Sequence, residues 1–244
     1  MALYRQEAVV LRTYKLGEAD RIVVLYTRSR GKVRAVAKGV RRTRSKFGAR
    51  LEPGSVVHLQ LYEGRNLDIV TQAESAQLFP SLRTDIEAFG RASILLEVID
   101  QIAVEGESNP AIYKLLTGAL AELDRAGNPL VVPAFVAKLL VLEGVQPQLG
   151  ACVQCGTTED LISIEVSEGG VLCRDHRRGE VVSNEARLAL DHVFGGRVRQ
   201  LLDTASPAVA MEVEALANRM IEQHIERRLR TAVVLAQTVS AGPE

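Results

Sequence analysis

The first part of the chain is built from short apolar stretches with a period of two. Ala8-Val9-Val10-Leu11 is an apolar run, residues 21–26 (RIVVLY) are β-branched with an aromatic end, and residues 32–38 alternate. In that last stretch Lys32, Arg34 and Lys38 fall on one face and Val33, Ala35 and Ala37 on the other. Pro53-Gly54 marks a turn, residues 55–62 a strand, Gly64-Arg65-Asn66 another turn, and residues 67–78 the last extended stretch. Five such strands in so short a segment predict a small closed barrel, and the OB-fold is the common barrel of this size with a nucleic-acid habit.

At Phe79-Pro80-Ser81 the apolar spacing changes to that of a helix. Ser81 is expected to cap a helix on which Ile86, Phe89, Ile94, Leu95, Val98, Ile99 and Ile102 recur. These positions cover much of its circumference, which predicts a buried central helix. Further helices are predicted near 110–126 and 131–144, each ending near a glycine (Gly127, Gly144), and near 184–194 and 206–236. In the last, Ser206 caps, Pro207 takes the first helical position, and Val209, Val213, Leu216 and Met220 form the inner stripe. The expected fold class is α+β and multidomain. An OB-fold barrel at residues 1–79 is followed by a helical domain, begun by 80–149 and resumed by 181–244, with a zinc ribbon-like module at 150–180 inserted.

Composition narrows the function classes. With 47% apolar and 25% charged residues, the chain is an ordinary globular sequence, and its 244 residues suffice for a core of useful size. No run of about 18 apolar residues exists, so no membrane span is expected. The opening MALYRQEAVV is not a secretory signal, and a cytoplasmic location is expected. The net charge of zero hides a division. Residues 1–80 hold 15 basic and 7 acidic residues, a balance of +8, which leaves 15 basic and 23 acidic residues, or −8, in 81–244. A basic module of this kind expects a polyanion.

The basic excess is concentrated between Arg28 and Arg50. Arg28, Arg30, Lys32, Arg34, Lys38, Arg41, Arg42, Arg44, Lys46 and Arg50 occur there with no acidic residue among them. Such a surface attracts phosphates whatever the base sequence, and its binding weakens steeply with salt. Tyr14, Tyr26 and Tyr62 are stacking candidates, although packing in the barrel is the simpler role for any one of them.

All three cysteines, with one of the four histidines, form the pattern C-x2-C-x17-C-x2-H: Cys152, Cys155, Cys173 and His176. A two-residue spacing lets both donors of a tight turn reach one tetrahedral ion. Gly156 follows the first pair, where such turns often require a positive φ. Residues 161–166 and 169–172 look like a short hairpin that returns the second pair to the first. A redox role for the CxxC pair would expect a βαβ pattern, which is absent. One zinc ion with four protein donors is therefore expected, and it is structural because no coordination position stays open. His58, His192 and His224 have no comparable partners and read as structural histidines.

Residues 10–14, 17–23, Thr27, Gly31-Lys32, 35–42 and Ser45-Lys46-Phe47 resemble the N-terminal barrel of the RecO family of bacterial DNA repair and recombination mediators. Residues 142–145, Pro147, Leu149, 152–156 and 169–173 resemble that family's linker and zinc module. The resemblance implies binding to single- and double-stranded DNA and annealing of complementary strands. It also implies partnership with RecR in loading RecA onto DNA covered by single-strand-binding protein, in the cytoplasm and associated with the nucleoid. It assigns no residue to the RecR or single-strand-binding-protein contacts. No GxxxxGK[ST] loop is present, so nucleotide hydrolysis is not expected, and with neither an open metal position nor a nearby carboxylate cluster in the sequence no other enzymatic activity is expected. The alternatives are a sequence-specific zinc-ribbon transcription regulator, which needs a helix reading base edges, and a zinc-dependent DNA-processing enzyme, which needs an open metal position.

Overall fold

The alternation of the first eighty residues closes into a barrel of β1 (Leu3–Leu16), β2 (Asp20–Thr27), β3 (Gly31–Ala37), β4 (Val56–Tyr62) and β5 (Asp68–Gln77). The strand order is β1-β2-β3-β5-β4, with β4 pairing back onto β1. Every pairing is antiparallel except β3 with β5. This is the OB-fold topology. Ala8, Val10, Val23, Leu25, Ala35, Val57, Leu61 and Val70 fill the interior, so the inward face of β3 is the one its alternation indicates. A bulge between Val10 and Arg12 shifts the register of β1 against β2. Beyond it, Thr13 lies opposite the core residue Val23, and Arg12 and Tyr14 face outward. Phe47, just before a 3-10 turn at Gly48–Leu51, and Leu51, at its end, close the barrel interior. Each is almost fully buried, a burial of about 1.5–3 kcal/mol per side chain.

The computed structural model describes residues 2–202 and 204–241. They form two compact units, one running to Ala126 and taken up again from Val233, the other Gly127–Ala232. In the first unit the barrel is followed by α1 (Ser81–Thr84), α2 (Ile86–Ile102) and α3 (Pro110–Ala126). The long helix does not begin at a Ser81 cap. Asp85 caps α2, accepting from the Glu87 and Ala88 amides, and Ser81 opens only the one-turn α1. Serine and aspartate cap about equally well, and here the Ser81 and Leu82 amides are taken by the Asp124 carboxylate of α3, which leaves the start of the long helix to Asp85. Ile94, Leu95, Val98 and Ile99 are buried as their spacing predicts. Ile86 and Phe89, in the first turn, stay exposed, and the buried stripe starts at Ala88.

One buried carboxylate ties α2 to the barrel. Asp100 accepts from Arg12 Nε at 2.7 Å, and Lys32 Nζ lies 3.8 Å from its other oxygen. Lys32 also donates to the Asp100 carbonyl at 2.8 Å. Arg12 is half exposed, so water screens part of the interaction. Asp100→Ala is expected to lower stability by about 1–3 kcal/mol, less than a fully buried pair would cost. A denaturant midpoint indistinguishable from wild type would show the pair to be dispensable.

The second unit contains α4 (Val131–Leu142), α5 (Asn184–Phe194), α6 (Val198–Leu202) and α7 (Pro207–His224). It also holds a small sheet of β6 (Leu161–Glu165), β7 (Gly170–Cys173) and β8 (Glu180–Val181), ordered β7-β6-β8. The expected hairpin is present, with β8 as an additional third strand. Ser183 caps α5 by accepting from the Ala186 amide, and Glu212 of α7 accepts from the Ser183 amide and hydroxyl, each at 2.7 Å. On α7, Val213, Leu216 and Met220 are buried and Val209 is half-buried. The helix expected over 206–236 is broken. Glu226 takes a left-handed φ of +53°, and the Arg227 amide turns back to the Glu222 carbonyl at 3.0 Å. The Leu229 amide donates to the Glu222 carboxylate at 2.8 Å before α8 (Arg230–Ala241) begins. Among the described residues, no helix is long and apolar enough to cross a membrane.

Candidate metal centre and nucleic-acid interface

The first cysteine pair sits in a turn closed by two backbone bonds. The Gly156 amide donates to the Cys152 carbonyl and the Cys152 amide to the Thr157 carbonyl, each at 2.8 Å. Gly156 has the positive φ, +76°, that its place after the pair predicts. Cys173 ends β7, and His176 closes a 3-10 turn over Arg174–His176. The sheet holds the two halves together, since the Val153 amide donates to the Val171 carbonyl at 3.0 Å and the Val171 amide to the Gln148 carbonyl at 2.9 Å. Gly170 allows the chain to pass so close, because a β-carbon there would lie 2.3 Å from the Gln148 oxygen.

The four side chains converge as their spacing predicts. Their donor atoms all lie within 4.8 Å of one another. Cys155 and Cys173 sulfurs are 3.8 Å apart, and His176 Nδ1 is 3.3 Å from Cys173 and 3.9 Å from Cys152. A tetrahedral ion with bonds of about 2.3 Å to sulfur and about 2.0–2.1 Å to nitrogen sets edges of about 3.8 Å and about 3.6 Å. The cluster therefore has the dimensions of a Cys3His metal site and could hold a metal ion. Burial pushes the Cys152 thiol up, but the backbone N–H groups of Cys173, Cys155 and Gln154 outweigh it and bring the thiol down to about 6. At Cys155 the Thr157 N–H favours the thiolate, yet burial and the thiols of Cys152 and Cys173 leave it raised. Three thiolates this close repel one another, and a divalent cation resolves that repulsion. Asp160 and Asp175 are exposed and outside the set.

The structure divides the ten basic residues into two groups. Those before the end of β3 have acidic partners. Arg28 lies 3.9 Å from Glu7, Arg30 3.4 Å from Glu63, Lys32 beside Asp100, and Arg34 3.9 Å from Glu105. Lys32 is the most enclosed, with its side chain 18% exposed. The six from Lys38 to Arg50 make no ion pair among the described residues. Arg41 donates to the Glu18 carbonyl at 3.0 Å and so braces the turn between β1 and β2. Lys46 donates to the Thr71 carbonyl at 2.8 Å, and Arg50 to the Phe47 carbonyl at 3.1 Å. Lys38, Arg42 and Arg44 are exposed, with no partner for their charged groups among the described residues. Phe47 and Leu51 anchor this loop in the barrel core, so its free cations stand on a fixed base.

Of the three tyrosines, Tyr26 is buried and stacks on Tyr113, their ring centroids 6.4 Å apart. Tyr14 and Tyr62 remain on the surface. Arg12 lies outside the acid-free run and is missed by counting charges, yet its guanidinium sits over the Tyr14 ring, 4.7 Å from the centroid. The bulge in β1 could have flagged it, but a bulge leaves no reliable mark in a sequence. His58 is exposed on β4, and His224 lies 4.0 Å from Glu143.

Comparison with known proteins adds an independent line. Residues 1–79 match the family described as Recombination protein O N terminal, and residues 83–232 match Recombination protein O C terminal. The chain is 42% identical over 242 residues to DNA repair protein RecO of Bifidobacterium longum strain DJO10A, covering 95% of this chain and 98% of that one. It is 40% identical over 247 residues to DNA repair protein RecO of Bifidobacterium adolescentis, covering 96% and 100%. It is 45% identical over 181 residues to DNA repair protein RecO of Cutibacterium acnes, covering 71% and 74%. With both halves matched in order and the two Bifidobacterium relatives aligned along nearly their whole length, the chain belongs to the RecO family of DNA repair and recombination proteins.

Proposed function

We propose that the chain is a DNA-binding recombination mediator that anneals complementary strands and, with RecR, helps load RecA onto single-stranded DNA covered by single-strand-binding protein. The observation that carries this reading is the near full-length relation to proteins named DNA repair protein RecO. In this reading the barrel, residues 1–79, binds single- and double-stranded DNA in the cytoplasm, at the nucleoid. Residues 80–149 and 181–244 form the helical domain, and residues 150–180 form the zinc module.

Within the barrel, the loop from Lys38 to Arg50 is the principal phosphate surface, with Lys38, Arg42 and Arg44 its free charges. Arg28, Arg30, Lys32 and Arg34 contribute mainly by offsetting the acidic residues beside them. Neutralising two strands on one surface lowers the repulsion that keeps them apart, which is what annealing requires. One zinc ion is held by Cys152, Cys155, Cys173 and His176. Four protein donors complete its shell, which suits a structural ion rather than a hydrolytic one. The test is annealing of two complementary oligonucleotides by purified protein with no nucleotide added. Accelerated annealing of any complementary pair is expected. DNA cleavage, or activity confined to one sequence, would favour the enzyme or the regulator instead.

A further inference from the structure

All three cysteines of the chain lie in the metal module, and the fold does not shelter them equally. Cys152 and Cys173 are buried, at 2% and 5% exposure, whereas Cys155 is exposed. Its neighbours Gln154 and Gly156 are exposed as well. A β-carbon added to Gly156 would meet nothing within 4 Å, so the turn that carries Cys155 faces open space. Four protein donors close an ion to substrate, but here one of those donors stands within reach of a solute.

Oxidation selects a sulfur that is both ionised and accessible. Metal ligation requires the thiolate form at all three cysteines, so exposure decides among them and singles out Cys155. A sulfenic acid formed there needs a second sulfur to become a disulfide. Cys173 Sγ is 3.8 Å away. A disulfide needs about 2.05 Å, so the two side chains have to close by less than about 2 Å. The Val153 amide donates to the Val171 carbonyl at 3.0 Å, which holds the two chain segments side by side. Cys152 shares a turn with Cys155, and its carbonyl and amide are both engaged there by Gly156 and Thr157.

We propose that Cys155 is a peroxide-reactive modification site, resolved by Cys173 into a reversible disulfide that releases the ion. It rests on the reading of the four donors as a zinc site. The Cys155 thiolate attacks one peroxide oxygen, the O–O bond breaks, and a sulfenic acid and a hydroxide form. The Cys173 thiolate then attacks the Cys155 sulfur, and the sulfenic oxygen leaves as a second hydroxide. Two thiolates and one peroxide thus give one disulfide and two hydroxides, the sulfurs losing the two electrons that the peroxide gains. Cys152 and His176 remain as donors, half of a structural set, and are too few to keep the ion. The disulfide spans the 17 residues between the two ligand pairs and keeps them together, so a dithiol can restore the site. The state of the module then depends on redox conditions, while the barrel, which has no cysteine, is unaffected.

The experiment uses the wild-type chain with its ion, because a serine at any ligand position is expected to remove the ion itself. Zinc released into a chromogenic chelator is followed during a titration with hydrogen peroxide. The cysteines are mapped by alkylation before and after reduction, with mass spectrometry of the peptides. Zinc should fall from about one ion per chain to nearly none. Cys155 and Cys173 should become blocked in step with that loss and reappear on reduction, while Cys152 stays open to alkylation. A dithiol with added zinc should restore the original metal content. In a parallel reaction without oxidant, a limiting amount of maleimide should label Cys155 first. Zinc kept throughout the titration, a linkage between Cys152 and Cys155, or first labelling of a buried cysteine overturns the assignment and leaves the zinc site standing. Wild-type protein that holds no metal when purified under reducing conditions overturns both.

Discussion

Cys173→Ser is expected to reduce the metal content from about one ion per chain to nearly none and to unfold the segment around the site. Cys173 is buried at the end of β7, and its sulfur is the one closest to His176. Losing it removes a thiolate and also the link between the two ligand pairs. The surrounding sheet has three strands, the longest of five residues, and is too small to hold itself together. Structural zinc supplies about 10–16 kcal/mol of apparent binding energy to small folding units of this kind. Loss of the ion should therefore expose residues 150–182 to protease, and the Val153 and Val171 amides should exchange rapidly with solvent. Asp175→Asn, next to the ligands but outside the set, should retain the metal. DNA binding should change little if the barrel alone contacts DNA. A metal-free, protease-resistant wild-type protein, purified under reducing conditions, would contradict the structural role.

The second large effect is expected from Lys38→Ala, Arg42→Ala and Arg44→Ala combined. Three lost phosphate contacts should flatten the log–log salt dependence by about 2–2.7 units, at about 0.7–0.9 per contact. Extrapolated from molar salt, that is roughly a 100-fold loss of affinity at about 0.15 M salt. The loss should be the same for unrelated sequences, because phosphates carry no base identity. Stability should change by no more than about 0.5 kcal/mol per site, since all three side chains are exposed. Arg41 is left out deliberately. Its bond to the Glu18 carbonyl braces the β1–β2 turn, so replacing it would mix a structural effect with an electrostatic one. A triple variant with wild-type affinity and slope would place the binding surface elsewhere on the molecule.

These residues also show what a sequence can and cannot disclose. The barrel was legible because alternation is a local signal: Val33, Ala35 and Ala37 declare their face by period alone. The metal ligands were legible because the chemistry uses few residue types at short spacings. The basic run was legible as charge but not as free charge. Lys32 and Arg44 look alike in the sequence, and only the fold brings Asp100, 68 positions away, against Lys32. The long helix was predicted with the wrong cap because Ser81 and Asp85 are both good caps, and the choice between them is settled by packing. The break after His224 carries no glycine or proline. It depends on Glu222 accepting from the Leu229 amide, a contact that local propensity does not encode.

The most direct test of the account is the affinity of the wild-type chain for two single strands of equal length and unrelated sequence, measured across a range of salt. The account predicts equal affinities and a shared linear log–log dependence, steeper than about −2, as expected when three or more phosphates displace their counterions. A flat dependence, or one strand bound about 1,000-fold more tightly than the other, would contradict a sequence-blind phosphate surface on the barrel.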